Sequence, residues 1–241
     1  MVQRHAEDRF AAGAFVFPGG VLEDSDYSAE AIALSPRLTP QDALTLIPDA
    51  GSPEKALGFF VAAIRETFEE AGILLARTAA GEHWHPDQAQ EAMLREARDA
   101  LHEGRLDFVP WMHDMGLLLA TDHFHYFAHW ITPEARPIRF DTHFFVIEVD
   151  ARLQAEADQR EVQDHVWVTA EEVLARHKAG EVSLVGATRV NLQLIREYAT
   201  AAEAVAGLSA REVVPIMPKL RKTDDGSVRP VFPWEPEYQT L

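Results

Sequence analysis

The sequence predicts an α/β domain, and three stretches of it carry that prediction. Residues 52–72 have the pattern of a capped amphipathic helix, residues 117–149 contain apolar runs typical of β-strands, and residues 161–180 combine a strand with a second capped helix. With 241 residues, 47% of them hydrophobic, the chain can bury a substantial core. One elaborated domain is therefore expected rather than two.

Charge and composition exclude several classes of function. A formal net charge of −17 leaves no excess of lysine and arginine to neutralise phosphates, so no nucleic-acid partner is expected. Cysteine is absent, which excludes a disulfide framework and thiol catalysis. No apolar run approaches the roughly 18–20 residues that span a bilayer, and no signal peptide precedes the first strand. We therefore expect a cytoplasmic protein without a membrane partner.

The first part of the chain reads as a short strand, a glycine-containing loop and an irregular segment. Residues 17–20, Phe-Pro-Gly-Gly, form the loop, in which glycine lets the backbone approach a ligand closely. Three prolines punctuate short apolar pieces in residues 27–51, so we expect helical turns there, for example over Pro40 to Leu46. This segment either covers a substrate or decorates the surface, and the pattern leaves both open.

The helix over residues 52–72 is the most strongly marked element. Ser52 is a suitable N-cap, Pro53 occupies the first helical position and Gly72 follows the last turn as a C′ glycine. Its apolar positions form one stripe, which comprises Leu57, Phe60, Val61, Ile64 and Phe68. That stripe is expected to face the core, so the carboxylates of the same helix are expected to face away from it.

Three of those carboxylates, on Glu66, Glu69 and Glu70, fall at positions i, i+3 and i+4 and crowd one face. Two such charges about 5 Å apart repel by roughly 3 kcal/mol at an effective dielectric constant of about 20, and the last helical turn disfavours anions. A hard divalent cation, Mg²⁺ or Mn²⁺, would reverse both effects, so the cluster fits a metal site. The alternative is a solvated acidic face, on which Arg65 and Glu69 form a pair worth only about 0.3 kcal/mol.

Residues 65–73, Arg-Glu-Thr-Phe-Glu-Glu-Ala-Gly-Ile, resemble the second half of the Nudix hydrolase box, Arg-Glu-U-x-Glu-Glu-x-Gly-U, in which U is a bulky aliphatic residue. The loop over residues 17–20 resembles the usual opening of that box, and Asp26 stands at its acidic position. Three features depart from the box. Asp26 replaces a glutamate, Thr67 replaces an aliphatic residue, and 38 residues instead of seven separate Asp26 from Arg65, which amounts to a 31-residue insertion. This split box is similar to that of the peroxisomal coenzyme A diphosphatases and their bacterial relatives.

The resemblance implies an α/β/α sandwich around a mixed sheet. It also implies metal ligation by Glu66, Glu69, Glu70 and the carbonyl group of Gly20, with Mg²⁺ or Mn²⁺ as the cofactor. Arg65 would orient Glu69 rather than touch the substrate. The general base would be Glu66 or a further acid near a later strand. Glu161 is the candidate for that acid and Asp164 is the reserve. Glu161 and Asp164 could each instead be a loop acid without a catalytic role. Catalysis is thus assigned to Glu66, Arg65, Glu69 and Glu161.

The implied activity is hydrolysis of a nucleoside diphosphate-linked small molecule. Coenzyme A ranks first, with 3′,5′-ADP and 4′-phosphopantetheine as products, because Arg4 and Arg9 are spaced from Gly20 as in a coenzyme A signature of one Nudix branch. Both could instead be surface arginines. A Nudix hydrolase of ADP-ribose, NADH or a dinucleoside polyphosphate would use the same metal ligands. A catalytically silent nucleotide-binding regulator is the third reading.

Residues 81–110 form a second expected insertion, with an amphipathic helix over Asp87 to His102. The neighbouring His83, Trp84 and His85 suggest metal ligation, but no third ligand is spaced to join them. Strands are expected in four places, which are Ile73 to Ala76, Leu117 to Leu119, His125 to Ile131 and Phe140 to Val149. The last of these alternates little and should be largely buried.

A substrate wall is the functional interpretation of this strand region. It would place Trp130 or Phe140 against an adenine ring and Arg139 near a phosphate. The competing interpretation, strand core with a solvated arginine, is left open for each residue.

The last third of the chain contains a strand over residues 161–168 and a helix opened by the capping box Thr169-x-x-Glu172. A single long helix is expected over Leu184 to Ala206. We assign residues 1–207 to the Nudix domain. Residues 208–241 form a Pro-rich extension that packs on the domain or on a partner subunit of a homodimer. Within the extension, Asp225 and Gly226 predict a hairpin turn.

Overall fold

The computed structural model describes residues 1–8, 11–150 and 153–241. In that part of the chain the strands are β1 (Val2–Arg4), β2 (Ala14–Val16), β3 (Ala76–Arg77), β4 (Leu118–Leu119), β5 (His125–Ile131), β6 (Asp141–Val146), β7 (Val162–His165), β8 (Ser183–Leu184), β9 (Lys219–Lys222) and β10 (Val228–Val231). The helices are α1 (Ala29–Ala33), α2 (Pro40–Leu46), α3 (Pro53–Ala71), α4 (Gln88–His102), α5 (Phe108–Asp114), α6 (Ala170–Lys178), α7 (Gly186–Ile195) and α8 (Ala201–Ser209). Short 3₁₀ turns occupy Asp24–Tyr27, Thr121–His123 and Pro236–Thr240.

The largest sheet is mixed and has the strand order β7-β1-β2-β8. Strand β1 pairs antiparallel with both neighbours. In this register Val2 lies opposite Val16 of β2 and opposite His165 of β7. Strands β2 and β8 run parallel, with Phe15 opposite Leu184. Three two-stranded sheets, β3-β4, β5-β6 and β9-β10, complete the strand pairing of the described residues. The α/β class with a mixed sheet is confirmed.

Helix α3 lies at the centre of the main core and has the caps that the sequence predicts. The side chain of Ser52 accepts a hydrogen bond from the N–H group of Lys55, and Gly72 ends the helix in the left-handed conformation, with a φ of 70°. All five residues of the predicted stripe are fully buried. Because truncation of a buried phenylalanine costs about 3–5 kcal/mol, Phe60 and Phe68 anchor this helix and hold its polar face in place.

Both inserted segments contribute to the core. The first forms α1 and α2, as predicted for Pro40–Leu46, and buries Ala31, Ala43 and Ile47 completely. The second forms α4, as predicted for Asp87 to His102, with Asp87 as its N-cap, and then α5. The ring of Trp111 on α5 stacks on Phe68 of α3 with 5.3 Å between ring centroids. Neither segment is a surface decoration, since each covers a part of α3.

The single long helix expected over Leu184 to Ala206 is wrong, because the chain forms α7 and α8 instead. Thr200 caps α8 by accepting a hydrogen bond from the N–H group of Glu203, which interrupts the helical path. The ring of Tyr198 fills the space above Gly207, where a Cβ atom would lie 2.2 Å from the ring. The chain therefore turns between the two helices and packs its own turn against the second one.

Two strand expectations need correction. Strand β6 is shorter than the predicted Phe140 to Val149, and its residues are half-buried or exposed rather than largely buried. Within the described residues β6 pairs only with β5, so it is an edge strand and not the interior strand that its apolar composition suggests. The strand predicted over Ile73 to Ala76 shrinks to β3, since Ile73 and Leu74 are buried without strand pairing.

The C-terminal extension packs on its own domain. The N–H group of Ile216 donates to the carbonyl oxygen of His129 at 2.8 Å, and the ring of Phe232 packs on Trp130 with 6.0 Å between centroids. The predicted hairpin is present as β9 and β10, with Gly226 in the left-handed conformation. Helix α8 runs two residues past the expected boundary at 207. None of the helices in the described ranges is long and apolar enough to cross a membrane.

Candidate active site

The C-terminal half of α3 packs beneath the glycine loop of residues 17–20. The N–H group of Gly19 donates to Oε2 of Glu70 at 3.0 Å. A Cβ atom at Gly20 would lie 2.3 Å from Oε1 of Glu66, so only glycine lets the backbone rest on that carboxylate. Glu66 and Glu70 are accordingly buried, at 7% and 2% exposed. The glycine loop thus covers the face of α3 that carries these carboxylates, a cover that the apolar stripe alone did not predict.

Arg65 joins the two halves of the split box. Its Nε donates to Oδ1 of Asp26 at 3.0 Å and its Nη2 donates to Oδ2 at 2.9 Å, a bidentate pair in which both side chains are buried. Burial alone would lower the pKa of Arg65, but the hydrogen bond and charge of Asp26 raise that pKa above its ordinary value. The guanidinium thus stays charged and fixes the 3₁₀ turn of Asp26 against α3.

The same guanidinium also holds two carboxylates of its own helix. Nη1 of Arg65 donates to Oε1 of Glu66 at 2.8 Å and to Oε2 of Glu69 at 3.2 Å. The spacing of four residues suggested the contact with Glu69. Only the resemblance to the box suggested a role for Asp26, since nothing local to residues 24–27 indicates a partner 39 residues away.

Burial changes the proton affinity of all three glutamates. It raises the pKa of Glu66 to about 7 and that of Glu70 to about 8, and it also raises the pKa of Glu69. The charge of Arg65 opposes this change at Glu66 and Glu69, and the N–H group of Gly19 opposes it at Glu70. Near neutral pH the metal-free cluster therefore holds protons, and these protons relieve the repulsion between its carboxylates.

Glu161 and Arg4 lie at the rim of this cluster, where β7 pairs with β1 and Val162 lies opposite Arg4. The charge of Glu161 raises the pKa of each of the three box glutamates, with a smaller effect than burial and the nearer groups have. The charge of Arg4 lowers the pKa of Glu70. Asp164 shows no such coupling to the cluster, and its Oδ1 accepts the N–H group of His165. Of these two acids, Glu161 is therefore the one whose charge acts on the box glutamates.

An arginine from the second inserted segment caps the end of α3. Nε of Arg98 donates to the carbonyl oxygen of Glu69 at 2.7 Å, and Nη2 donates to that of Glu70 at 2.8 Å. Nε2 of His102 lies 3.2 Å from the Glu69 carbonyl oxygen. Basic groups at this position satisfy the last carbonyls of the helix and oppose its negative end. Sequence reasoning missed both residues, and their spacing of four on α4 was the only signal.

The side chains expected to form a substrate wall are in different environments. Trp130 is buried in a second core cluster, and its Nε1 donates to Oδ1 of Asn191 at 3.0 Å, so it belongs to the core rather than to a wall. Phe140 is exposed, and Nε of the exposed Arg139 donates to the carbonyl oxygen of Thr132.

Of the two N-terminal arginines that are expected to contact the substrate, the structure describes only Arg4. Arg4 forms an ion pair of 3.0 Å with Asp8. Arg9 lies outside the described residues.

The donor set suits a hard divalent cation. All its side-chain donors are carboxylate oxygens, as such ions prefer, and the carbonyl group of Gly20 belongs to the backbone that touches Glu66. Because Glu66 and Glu70 hold protons in the metal-free chain, a bound cation would displace them. The arrangement therefore offers a set of oxygen donors of the kind such an ion prefers at the C-terminal end of α3.

Comparison with known proteins gives concordant matches. Residues 47–192 match the family model described as the NUDT19 Nudix domain. Proteins named acyl-coenzyme A diphosphatase NUDT19 are similar to the chain. The Gallus gallus protein is 30% identical over 215 residues, which cover 76% of this chain and 57% of that protein, and the Homo sapiens protein is 28% identical over 211 residues, which cover 76% and 56%. The chain thus spans about half the length of these curated relatives.

A solved structure shares the fold. The crystal structure of a NUDIX hydrolase from Alicyclobacillus acidocaldarius superposes with a TM-score of 0.66 at 28% sequence identity. The match covers 88% of both chains.

Proposed function

This chain belongs to the Nudix family, and we propose that it is a metal-dependent hydrolase that cleaves the diphosphate of coenzyme A or acyl-coenzyme A. The products would be 3′,5′-ADP and 4′-phosphopantetheine or its acyl derivative. One observation carries the proposal. The carboxylates of Glu66 and Glu70 lie beneath the glycine loop, and Arg65 ties Glu66 and Glu69 to Asp26 across the insertion. Relatives named acyl-coenzyme A diphosphatase support this choice of substrate.

The carboxylates of Glu66, Glu69 and Glu70 and the carbonyl group of Gly20 would hold Mg²⁺ or Mn²⁺. When bound, such an ion neutralises charge on the diphosphate and polarises a water molecule for in-line attack. Arg65 is a positioning residue in this scheme, because its donors are used on Asp26, Glu66 and Glu69.

We propose two candidates for the general base that accepts the proton of the attacking water. Glu66 has a pKa of about 7, which matches a general base that works near neutral pH. Glu161 is exposed at the rim, where water reaches it directly. Comparison of Glu161→Gln with Glu66→Gln separates them, since loss of the base flattens the rise of kcat with pH, whereas loss of a ligand alone raises the metal concentration needed for activity.

The substrate would extend from this cluster over its rim. The charge of Arg4 acts on Glu70, which supports our proposal that its guanidinium contacts a phosphate of the substrate. Arg139 and Phe140 are exposed next to each other at the start of β6, and we propose that they contact a phosphate and the adenine ring. Arg9 is the second proposed phosphate contact. Trp130 is left out of the wall because its ring is enclosed.

A substrate panel tests the proposal. Coenzyme A, acetyl-coenzyme A, ADP-ribose, NADH and a dinucleoside polyphosphate are incubated with the protein in Mg²⁺ and in Mn²⁺, with Glu69→Gln as the inactive control. Release of 3′,5′-ADP supports the proposed function. AMP from ADP-ribose without 3′,5′-ADP from coenzyme A would replace it with another Nudix hydrolase, and no product from any substrate would favour a nucleotide-binding regulator.

A further inference from the structure

A second cluster of metal-ligating side chains lies away from the box glutamates. It consists of Asp49, His129 and His143, called the histidine cluster below, and one ligand atom from each lies within 4.8 Å of the others. Asp49 belongs to the end of the first inserted segment, just before the N-cap of α3. His129 on β5 and His143 on β6 are direct partners in the register of those strands. Three separate elements thus meet at this point.

The two nitrogens of His129 have different partners. Nδ1 lies 3.3 Å from Oδ2 of Asp49, and Nε2 hydrogen-bonds to Oδ1 of Asp141. His129 is 2% exposed, so these carboxylates are its polar surroundings within the described chain. A histidine that binds a metal through one nitrogen commonly donates its other N–H group to a carboxylate, which fixes the tautomer and the ring orientation. Asp141 is placed to do this for His129.

His143 has no polar partner at all among the described residues, although both of its ring nitrogens are buried. Its ring lies between Phe59 and His129, with centroid distances of 4.1 Å and 4.3 Å. A buried nitrogen without a partner is costly unless something absent from the chain itself satisfies it.

We propose that Asp49, His129 and His143 bind a divalent transition-metal ion of the Zn²⁺ class. Two imidazole nitrogens and one carboxylate form a donor set typical of such ions, whereas the all-oxygen set of the box glutamates suits Mg²⁺ or Mn²⁺. Tetrahedral ligation at about 2.0–2.1 Å needs donor atoms about 3.4 Å apart, so the cluster has to contract by little more than 1 Å. The fourth position is then open to water or to a ligand.

An ion pair without metal is the competing explanation. In it, a protonated His129 bridges Asp49 and Asp141, and no ion is needed. That arrangement leaves both nitrogens of His143 unsatisfied and puts an imidazolium against its ring. A metal ion accounts for His143 and for the two partners of His129 together.

The site would give the first inserted segment a function. A bound ion would tie Asp49, at the end of that segment, to β5 and β6, and so clamp the segment beside α3. Phe59, which stacks on His143, precedes Glu66 by seven residues, close to two helical turns or about 10 Å along the axis. The clamp would therefore lie on the same side of α3 as the box glutamates.

Cobalt binding tests the proposal without any measurement of hydrolysis. The full chain is stripped with a chelator and titrated with Co²⁺, whose visible absorption reports nitrogen ligation, and Zn²⁺ is then added in competition. We expect one nitrogen-ligated Co²⁺ per chain that Zn²⁺ displaces, in the wild type and in Glu69→Gln alike, because Co²⁺ on the box carboxylates has oxygen ligands only. Asp141→Asn should weaken the affinity about 10- to 100-fold, and His143→Gln or Asp49→Asn should remove the signal.

Controls keep folding and non-specific binding apart from the proposed site. Asp49 is 51% exposed, so Asp49→Asn should fold normally, which circular dichroism checks. His83→Gln changes another histidine-rich region, where His123 lies beside His83 at 4.5 Å between centroids, and it should leave the cobalt signal intact. An unchanged signal in both Asp49→Asn and His143→Gln would overturn the proposal, as would its loss in His83→Gln or Glu69→Gln.

Discussion

The carboxylate cluster of Glu66, Glu69 and Glu70 lies about two helical turns along α3 from Phe59, on which His143 of the histidine cluster stacks. The two clusters are built in opposite ways. The carboxylates come from one helix at positions i, i+3 and i+4, so helical geometry alone brings them together. The histidine cluster takes one residue each from an inserted segment, β5 and β6, so only the tertiary fold assembles it. A local pattern is therefore enough to find the first site and cannot reveal the second.

The two clusters also differ in how the chain satisfies them. Arg65, the N–H group of Gly19 and captured protons compensate the carboxylates, and Arg98 caps the carbonyl groups of Glu69 and Glu70. Nothing in the described chain compensates the nitrogens of His143. We infer that the carboxylate cluster is stable without its ion and takes it up in exchange for protons, whereas the histidine cluster is completed only by a ligand.

The largest effect is expected from substitutions that remove a proposed metal ligand from the carboxylate cluster. Glu69→Gln and Glu70→Gln should each lower kcat for the substrate identified by the panel by roughly 10²–10³-fold, because a charged group that acts in the transition state is lost. Stability should be unchanged or higher, since an amide costs less to bury than a carboxylate. Steady-state kinetics and thermal unfolding measure both, with His83→Gln as the matched surface control. Near-normal rates in both glutamine variants would refute the metal assignment.

The next largest effect is expected from a substitution that removes the ion pair between Asp26 and Arg65, which joins the two halves of the box. Asp26→Asn should lower the free energy of unfolding by about 3–5 kcal/mol, because it leaves the buried Arg65 without its bidentate partner. Asp122→Asn is the matched control, since Asp122 makes a similar bidentate pair with the buried Arg77. Urea unfolding should show losses in both variants. Only Asp26→Asn should also lower kcat of the folded protein, and an equal loss of kcat in the control would contradict the assigned role.

A change of pH tests whether Glu66 and Glu70 hold protons in the folded chain. In the unfolded chain Glu66 and Glu70 lose their protons near the ordinary value of 4.5, but in the folded chain they lose them near 7 and 8. The folded state thus holds more protons in between, so the free energy of unfolding of the metal-free protein should fall as the pH rises from about 5 to 8. One proton retained over about two pH units corresponds to roughly 3 kcal/mol.

Unfolding measured at several pH values, with and without Mn²⁺, checks this prediction. Mn²⁺ should stabilise the protein more at pH 8 than at pH 6, because fewer protons then have to be displaced. Glu70→Gln should reduce the fall in stability of the metal-free protein. A metal-free stability that is constant or rises between pH 5 and 8 would show that the two glutamates are ionised throughout that range.

The same division between local and tertiary information explains what the sequence could predict. The caps and apolar stripe of α3, helix α2 and the hairpin around Gly226 follow from neighbouring residues, and all of them are confirmed. The break between α7 and α8 depends on Tyr198 packing over Gly207, which periodicity does not report. The enclosure of Trp130 depends likewise on the C-terminal extension.

Burial within the site was the other unpredictable feature. Spacing places Glu66 and Glu70 on one face of α3, but it does not show that residues 17–20 fold over that face. The proton affinities follow from this cover and not from the spacing. The sequence therefore indicates which residues form the carboxylate cluster, whereas the structure is needed to infer their protonation state without a bound metal ion.

The smallest expected effect tests whether an inserted segment supports the carboxylate cluster. Arg98→Met should lower the free energy of unfolding by about 2 kcal/mol, because the carbonyl groups of Glu69 and Glu70 lose a charged donor. It should also weaken Mn²⁺ binding several-fold, since the last turn of α3 then frays and its carboxylates lose their fixed positions. Arg95→Met on the exposed side of α4 is the matched control, and Arg98→Lys should restore part of the loss. If Mn²⁺ affinity, measured by calorimetry, stays unchanged in Arg98→Met while stability falls, then α4 only supports the fold, and the carboxylate cluster depends on its own helix alone.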